Sequence, residues 1–249
     1  MDLELKGKRA VVLGASRGLG AAIAKELADE GAHVLGVSRN PDESTKWPML
    51  AADLAAPDAA ETIAARARSE LGDVDILVNN SGGPAPSTAH DTDASQLLEA
   101  AQPMLLTITE LTRLVLPHMR AAGFGRILTI TSSGVREPIP GLALSNTIRA
   151  AVHGWMKTLA REVAMDGVTV NLLMPGQVDT DRLRSLHQKI AEQAGIDRKV
   201  IVSKAIESIP AGRFGEPGEF GAVAAFLASP RASYVTGLEI PVDGGFLRS

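Results

Sequence analysis

Short apolar segments alternate with longer helical segments along most of this chain, and this alternation limits its fold more than any other feature. The apolar segments are uninterrupted, which is typical of parallel strands that are buried on both faces. Parallel strands joined by right-handed helical crossovers form a doubly wound sheet with helices on both faces. The strands are predicted at 9–13, 33–37, 49–52, 74–78, 127–131, 168–173 and 238–242, and the helices at 19–30, 57–71, 95–121, 146–165 and 219–228. The sequence therefore predicts a single α/β domain over residues 1–249 with a seven-stranded parallel sheet.

Residues 180–212 do not fit this alternation of strands and helices. Leu183, Leu186 and Ile190 have helical spacing, and Gly195 interrupts the pattern. We expect this segment to be an insertion that lies over the carboxyl edge of the sheet and serves as a lid.

The charge balance and the absence of cysteine exclude several classes of function. The net charge is −4 and the pI is about 5.8, so the chain offers no positive field to a nucleic-acid backbone. Without cysteine there is no disulfide, thiolate nucleophile or cysteine-bound zinc, and no metal site is expected. The apolar runs are shorter than the ~20 residues of a membrane span, and no secretory signal is visible at the start. We expect a cytoplasmic protein whose partner is a small molecule.

A glycine-rich turn follows the first predicted strand and opens the first predicted helix. It reads Gly14-Ala-Ser16-Arg17-Gly18-Leu19-Gly20. Residues without a Cβ let the backbone bend sharply and approach a pyrophosphate, while the start of the helix offers N–H groups to the phosphates. The turn predicts a dinucleotide site, and a plain tight turn is the alternative interpretation.

The end of the second predicted strand indicates which nicotinamide cofactor binds. An NAD site usually carries an acidic residue there, which bonds the ribose 2′-hydroxyl. This chain has Ser38-Arg39-Asn40 instead, and Arg17 supplies a second cation from the glycine-rich turn. Because guanidinium groups form charge-assisted bonds with phosphate, NADP(H) is predicted in preference to NAD(H). The alternative is that both arginines are solvated loop residues.

Three further motifs lie at the ends of later strands. They are Asn79-Asn80-Ser81-Gly82, Thr131-Ser132-Ser133-Gly134 and Pro175-Gly176-Gln177-Val178-Asp179-Thr180. Together with the Gly-x3-Gly-x-Gly turn, this order of motifs resembles the short-chain dehydrogenase/reductase family, of the 3-oxoacyl-[acyl-carrier-protein] reductase type, over residues 5–247. The resemblance implies a Rossmann fold, a nicotinamide cofactor, oxidoreductase activity on a carbonyl/alcohol pair and a homotetramer.

The resemblance also implies which residues border the cofactor. Asp53, followed by Leu54, matches the family residue at the adenine ring, and a helix N-cap is the alternative role for it. The other implied cofactor residues are Gly14, Ser16, Arg17, Gly18, Leu19, Gly20, Ser38, Arg39, Asn80, Ser81, Gly82, Arg149, Pro175, Gly176, Val178 and Thr180.

The catalytic residues that the family implies are only partly present. Ser132 is in register with the catalytic serine, and Ser133 is the alternative. The family has a tyrosine 13 residues after that serine and a lysine four residues later, but these positions hold Ser145 and Arg149. The family's catalytic asparagine on the preceding helix has no counterpart either. The chain's one tyrosine, Tyr234, matches a family packing residue.

A serine in place of the tyrosine changes the proton chemistry. A phenol titrates near ~10, whereas an aliphatic hydroxyl is a far weaker acid, so Ser145 is expected to deliver a proton only through water. Arg149 keeps the positive charge and is expected to hold the ribose or polarise an oxygen. Three other residues are weaker candidates for the acid, namely His153, Glu137 and His90.

The sequence thus predicts an NADP(H)-dependent oxidoreductase with a modified site. The alternative is a non-catalytic relative that binds nucleotide or assembles with a partner. A third interpretation, elimination of halide, rests on Arg149, because relatives that eliminate halide use Ser, Tyr and Arg. The retained cofactor motifs favour the first interpretation. Arg182 and Arg184 are among the polar residues expected at the substrate pocket.

Overall fold

Seven parallel strands form the central sheet in a computed structural model that describes residues 2–42 and 44–247. In chain order they are β1 (Arg9–Leu13), β2 (His33–Ser38), β3 (Met49–Ala51), β4 (Ile76–Asn79), β5 (Gly125–Ile130), β6 (Val168–Pro175) and β7 (Glu239–Val242). Their order across the sheet is β3-β2-β1-β4-β5-β6-β7. The chain begins in the middle, moves outward to β3 and returns to β4 on the other side of β1, which confirms the doubly wound sheet. The two ends of the predicted 1–249 domain lie outside the described residues.

Eight α-helices connect or follow the strands within the described residues. They are α1 (Gly18–Asp29), α2 (Ala59–Leu71), α3 (Ala94–Ala101), α4 (Thr107–Ala121), α5 (Ala143–Val163), α6 (Asp181–Ala194), α7 (Arg198–Glu207) and α8 (Pro217–Ala228). Most predicted boundaries lie within a few residues of these. None of the helices in the described ranges is long and apolar enough to cross a membrane.

Helices cover both faces of the sheet because neighbouring residues of each strand point to opposite sides. In β1, Val11 belongs to the core cluster under α2, α4 and α5, whereas Val12 belongs to the cluster under α1 and α8. Phe220 of α8 is fully buried in the second cluster. This two-sided burial explains why the strands are uninterrupted apolar segments in the sequence.

The long helix predicted at 95–121 is interrupted, which corrects the prediction. After α3, residues Gln102–Leu106 form a π-helical turn before α4 begins. Pro103 lies at the start of this turn and has no N–H to donate. The first side chain after the turn, Thr107, donates its hydroxyl to the Leu54 carbonyl at 2.8 Å. The start of α4, directly after the π turn, is therefore joined to the loop that follows β3.

The segment predicted as an insertion consists of α6 and α7, two helices with mostly exposed side chains. Gly195 ends α6 in a left-handed conformation with φ of +65°, which accounts for the break in the pattern. His187 and Ala191 are the buried residues of α6, and the His187 ring lies 5.6 Å from the Phe214 ring. The function of the segment as a lid stays a prediction.

Tyr234 does not pack within its own chain, which corrects the expectation that it is a packing residue. Its side chain is 100% exposed, in the turn between α8 and β7. The inward contacts of this turn come from its neighbours, because Val235 packs on the core and the Thr236 hydroxyl accepts the Val170 N–H at 3.1 Å.

We expect the Phe220→Ala substitution to lower the free energy of unfolding by about 3–5 kcal/mol, because it removes a fully buried aromatic side chain and leaves a cavity. Phe226→Ala, on the same helix but at a side chain that is 36% exposed, serves as the control and should cost much less. Urea-induced unfolding of both variants measures the difference. Equal losses would contradict the placement of α8 on the sheet.

Candidate active site

The glycine-rich turn lies where the strand order reverses, between β1 and β4, and crevices at such points bind ligands in doubly wound sheets. Gly14 has φ of +67°, and a Cβ on it would lie 2.5 Å from the Asn80 side-chain nitrogen. A Cβ on Gly20 would collide with the Gly14 carbonyl and lie 2.8 Å from the same nitrogen. The Asn80 side chain therefore fills the turn, and neither glycine can be replaced without moving it.

The start of α1 can bind an anion. Its N-cap residue is Arg17, in an extended conformation, and this side chain makes no cap hydrogen bond. An arginine has no acceptor atom to offer, so the N–H groups of the first turn remain available to phosphate oxygens. Leu19 is partly buried against the α1 and α8 core, which fixes this turn on the sheet.

The end of β2 presents the predicted 2′-phosphate residues. Ser38 is buried, and its hydroxyl has no hydrogen-bond partner in the part of the chain that the structure describes. Arg39 follows it at the surface, and Arg17 is also exposed. An unpartnered hydroxyl at the end of β2 and an exposed arginine after each of β1 and β2 fit a phosphate, because the hydroxyl can donate a hydrogen bond to an oxygen that the cations attract.

Asp53 lies in the exposed loop after β3. Its carboxylate accepts the Ala55 N–H at 3.0 Å, whereas α2 begins only at Ala59. The alternative role as the N-cap of α2 is therefore wrong. Leu54 next to it packs on the core, so the backbone at this point is anchored.

In the motif after β4, the first residue stabilises the sheet and the next three border the crevice. Asn79 is fully buried, and its amide lies 3.4 Å from the Thr129 hydroxyl, so it joins β4 to β5. Asn80 fills the glycine-rich turn as described above. Ser81 is buried and Gly82 is exposed, so the chain turns outward over the crevice at this point.

Ser132 follows the carboxyl end of β5. Its hydroxyl oxygen accepts the Gly134 N–H at 3.2 Å, which leaves its own proton for donation to a substrate oxygen. This contact gives Ser132 a defined place at the edge of the sheet. Ser133 begins the following 3-10 turn and makes no side-chain bond within the described residues.

Ser145 and Arg149 lie one turn apart on α5, as their spacing predicts. Arg149 is 8% exposed, and its guanidinium donates to the Ile130 carbonyl, the last of β5, at 2.8 Å. Burial and, to a smaller extent, the nearby positive charge of Arg182 lower the pKa of Arg149 to about 10. Ser145 is half-buried one turn earlier.

A second buried arginine shows what is unusual about Arg149. Arg126, at the opposite end of β5, donates to three carbonyls, those of Gly125, Gly167 and Ser229, at 2.8–3.2 Å. Burial lowers its pKa to about 10 as well. Arg149 has a single carbonyl partner in residues 2–42 and 44–247. Its other N–H groups are therefore available to a ligand at the sheet edge.

The motif after β6 closes the site on the other side of β5. A Cβ on Gly176 would lie 2.5 Å from the Asp243 backbone, so this glycine is required for the turn beside Pro175. Val178 is buried and pairs with Gly215. Thr180 caps α6 by accepting the Leu183 N–H at 3.3 Å, and its methyl group lies beside Gly18. The loop after β6 therefore meets the glycine-rich turn.

The weaker candidates for a proton donor have other surroundings. His153 lies one turn after Arg149 on α5, and its ring is 3.8 Å from the Glu239 carboxylate at the start of β7. His90 is highly exposed and pairs with Asp91, and Glu137 is exposed. No group of three or more His, Asp or Glu side chains that could hold a metal occurs in the described residues.

Two features were not predicted from the sequence. The π turn after α3 carries no pattern beyond Pro103. The position of Arg182 against Gly83 depends on the course of α6, which spacing alone does not determine.

We expect Arg149→Met to leave the free energy of unfolding of the ligand-free protein unchanged or to raise it by about 1–2 kcal/mol, because it removes a buried cation without a counter-ion. Arg126→Met is the matched control and should lower that free energy by about 2 kcal/mol or more, since three carbonyls lose their arginine donor, whereas Arg149→Met affects one. Urea-induced unfolding compares the two variants. Equal destabilisation would mean that Arg149 is an ordinary structural arginine.

Comparison with known proteins agrees with this architecture. A family model described as Enoyl-(Acyl carrier protein) reductase matches residues 14–247. The chain is 34% identical over 251 residues, 98% of each chain, to a 3-oxoacyl-[acyl-carrier-protein] reductase FabG of Vibrio cholerae. It is 31% identical over 255 residues, 97% of this chain and 98% of the relative, to an NADPH-dependent reductase BacG of Bacillus subtilis.

A solved structure extends the agreement to three dimensions. The L-sorbose reductase from Gluconobacter frateurii, complexed with NADPH and L-sorbose, is 32% identical and covers 100% of both chains with a TM-score of 0.92. The matching family model, the relatives over nearly the whole chain and the shared sheet lead to one conclusion: the protein belongs to the short-chain dehydrogenase/reductase family of NAD(P)-dependent oxidoreductases.

Proposed function

We propose that the protein is an NADP(H)-dependent oxidoreductase that transfers a hydride between the nicotinamide and a carbonyl/alcohol substrate through a modified site. The observation that carries this proposal is the arrangement at one sheet edge. The glycine-rich turn follows β1, Ser132 follows β5, and the buried Arg149 of α5 donates to the last carbonyl of β5. The relatives named FabG act on 3-oxoacyl groups according to their name, and a similar reaction is our proposal for this chain.

In this proposal the cofactor lies along the carboxyl edge of the sheet. Gly14, Ser16, Arg17, Gly18, Leu19 and Gly20 hold its pyrophosphate, and Ser38 and Arg39 hold its 2′-phosphate. The adenine lies near Asp53 and Leu54. The nicotinamide half lies near Asn80, Ser81, Gly82, Arg149, Pro175, Gly176, Val178 and Thr180. The preference for NADP(H) rests on the unpartnered Ser38 hydroxyl beside the two exposed arginines, and NAD(H) is the less favoured cofactor.

The chain's own residues then stabilise the substrate. The reduced nicotinamide supplies the hydride when it is bound. Ser132 donates a hydrogen bond to the carbonyl oxygen, because its own oxygen is already engaged by Gly134. Arg149 holds the ribose and adds positive charge where negative charge develops on the substrate. Ser145 orients a water molecule that delivers the proton, since its hydroxyl is too weak an acid to do so itself.

A non-catalytic, nucleotide-binding protein is the second candidate. The half-buried Ser145 favours it, because a serine at this place removes the acid that contributes about 10²–10⁴-fold to such reactions. Elimination of halide is the weaker alternative. That reaction also uses a tyrosine, and the chain's one tyrosine, Tyr234, is fully exposed in the turn before β7.

We also propose that α6 and α7 form a lid over the site and that the protein is a homotetramer. Exposed apolar side chains occur on the α3–α4 segment, at Leu98 and Leu106, and beside β7, at Tyr234 and Leu238. Burying such side chains between subunits removes apolar surface from water. Light scattering coupled to size-exclusion chromatography measures the number of subunits.

Calorimetric titration with NADPH and NADH tests the cofactor. We expect NADPH to bind more tightly than NADH, and Arg39→Gln to weaken NADPH binding by about 10–100-fold, because a hydrogen bond to a charged group contributes about 1.5–3 kcal/mol. The variant should leave NADH binding nearly unchanged. Arg68→Gln, an exposed arginine on α2, is the control. Equal loss of NADH and NADPH binding would remove Arg39 from the phosphate site.

Turnover separates the enzyme from the non-catalytic protein. Consumption of NADPH is followed with a panel of ketones, sugars and 3-oxoacyl thioesters. We expect Ser132→Ala to lower kcat by about 10²–10³-fold, the usual cost of losing one donor to a developing oxyanion. Ser133→Ala should have little effect. Tight NADPH binding without turnover of any substrate would favour the non-catalytic protein.

A further inference from the structure

Arg182 lies over the substrate end of the crevice. It belongs to the first turn of α6, which follows β6, yet its guanidinium packs against Gly83, which follows β4. A Cβ on Gly83 would lie 2.5 Å from the Arg182 Nη2 atom. Because β5 lies between β4 and β6, this contact crosses the carboxyl end of β5, where Ser132 is found.

Arg182 brings a second positive charge to the edge that already holds Arg149. Two acidic residues are close in sequence, Asp179 and Asp181, but Arg184 binds both. Neither Arg149 nor Arg182 forms an ion pair in the described ranges 2–42 and 44–247. Two guanidinium groups thus share this edge without a counter-ion, and one of them is more than nine-tenths buried.

The start of α6 strengthens this positive field. The N-terminal end of a helix carries a partial positive charge, which disfavours a cation in the first turn. Arg182 is placed there nonetheless, next to Asp181, whose carboxylate pairs with Arg184. An anion beside the Arg182 guanidinium is therefore attracted by that cation and by the helix end. Because Gly83 has no side chain, the Arg182 guanidinium can lie against its backbone above the crevice.

The phosphates of the cofactor do not account for this charge. In the proposed function they occupy the glycine-rich turn and the end of β2, where Arg17 and Arg39 lie. The end of β5 is three strand spacings from β2, which is about 14 Å at ~4.8 Å for each spacing. Arg182 lies two residues after Thr180, which meets the glycine-rich turn at Gly18, and its guanidinium reaches Gly83 on the far side of β5. We assign it to the substrate because Arg17 already serves the pyrophosphate in the proposed function.

We propose that the substrate is an oxo acid whose carboxylate is bound by Arg182 while its carbonyl faces Ser132. This inference rests on the proposed oxidoreductase function and names its substrate class. A carboxylate matches the planar guanidinium through paired hydrogen bonds. In the reaction the carbonyl carbon gains the hydride and the oxygen gains a proton from water. The oxo acid is reduced to the hydroxy acid as the reduced nicotinamide is oxidised.

Binding without turnover tests this proposal. Calorimetry measures the affinity of the full-length protein for 2-oxo and 3-oxo acids and for their methyl esters, with NADP⁺ present and without it. NADP⁺ has no hydride to give an oxo acid, so the complex does not react. We expect the wild-type protein to bind the best acid at least about 10-fold more tightly than its ester, because the ester cannot pair with a cation.

Substitutions on α6 test whether the preference for acid over ester depends on Arg182. Arg182→Gln should abolish the preference for acid over ester, and Arg182→Lys should keep part of it. Lys189→Gln removes the same charge from the same helix at an exposed position and should leave the preference unchanged. The affinity for NADP⁺ should be the same in all of these proteins.

Several results would overturn the proposal. The first is an equal affinity for acid and ester in the wild type, and the second is a preference for the acid that survives Arg182→Gln. The third is a loss of NADP⁺ affinity in Arg182→Gln, which would place Arg182 at the cofactor. Tighter binding of a phosphorylated ketone than of any oxo acid would replace the carboxylate with a phosphate. A protein that binds no nucleotide but prefers acid to ester in an Arg182-dependent way would contradict the proposed function and support the anion site.

Discussion

Parallel pairing of the strands is the constraint on which the rest of this structure depends. When all strands run the same way, all their carboxyl ends lie at one edge, and the loops that follow them must gather there. Motifs separated by more than 150 residues in the sequence, from the glycine-rich turn to Thr180, are neighbours for this reason alone. The helices pack on the two faces of the sheet, and the loops that follow the strands meet at this edge.

The chemical character of the edge comes from guanidinium groups rather than from a phenol and an amine. Arg149 stays charged at physiological pH even though burial lowers its pKa, because a pKa of about 10 is still well above neutrality. A permanent cation stabilises negative charge but does not act as a proton donor there. The site is therefore suited to electrostatic stabilisation, and in the proposed function the proton comes from water.

The sequence was sufficient for the parts of the fold that follow from local rules. Uninterrupted apolar strands implied burial on both faces, and Gly14, Gly18 and Gly20 marked the turn between β1 and α1. The π turn and the outward-pointing Tyr234 could not be obtained in this way. Both depend on how a segment packs against its neighbours, since a helical pattern tolerates one extra residue and a turn can direct either of two side chains inward.

The candidate site, like the fold, could be predicted from the sequence only in part. The spacing on α5 placed Ser145 and Arg149 one turn apart, but only the three-dimensional path of the chain shows that Arg149 caps the last carbonyl of β5. The same is true of Arg182, whose contact with Gly83 joins segments that are remote in sequence. Side-chain identity is local information, whereas the partners that remain for a charged group depend on every loop at the edge.

The Asn80 side chain, seated inside the glycine-rich turn, has a consequence for how a nucleotide binds. Because this amide fills the inside of the turn, the backbone of the proposed phosphate site has its shape before any ligand binds. Little conformational entropy is lost in that turn on association, so the binding free energy is not spent on ordering it. The loops after β1 and β4 thus form a single preorganised structure, although they come from two distant parts of the chain.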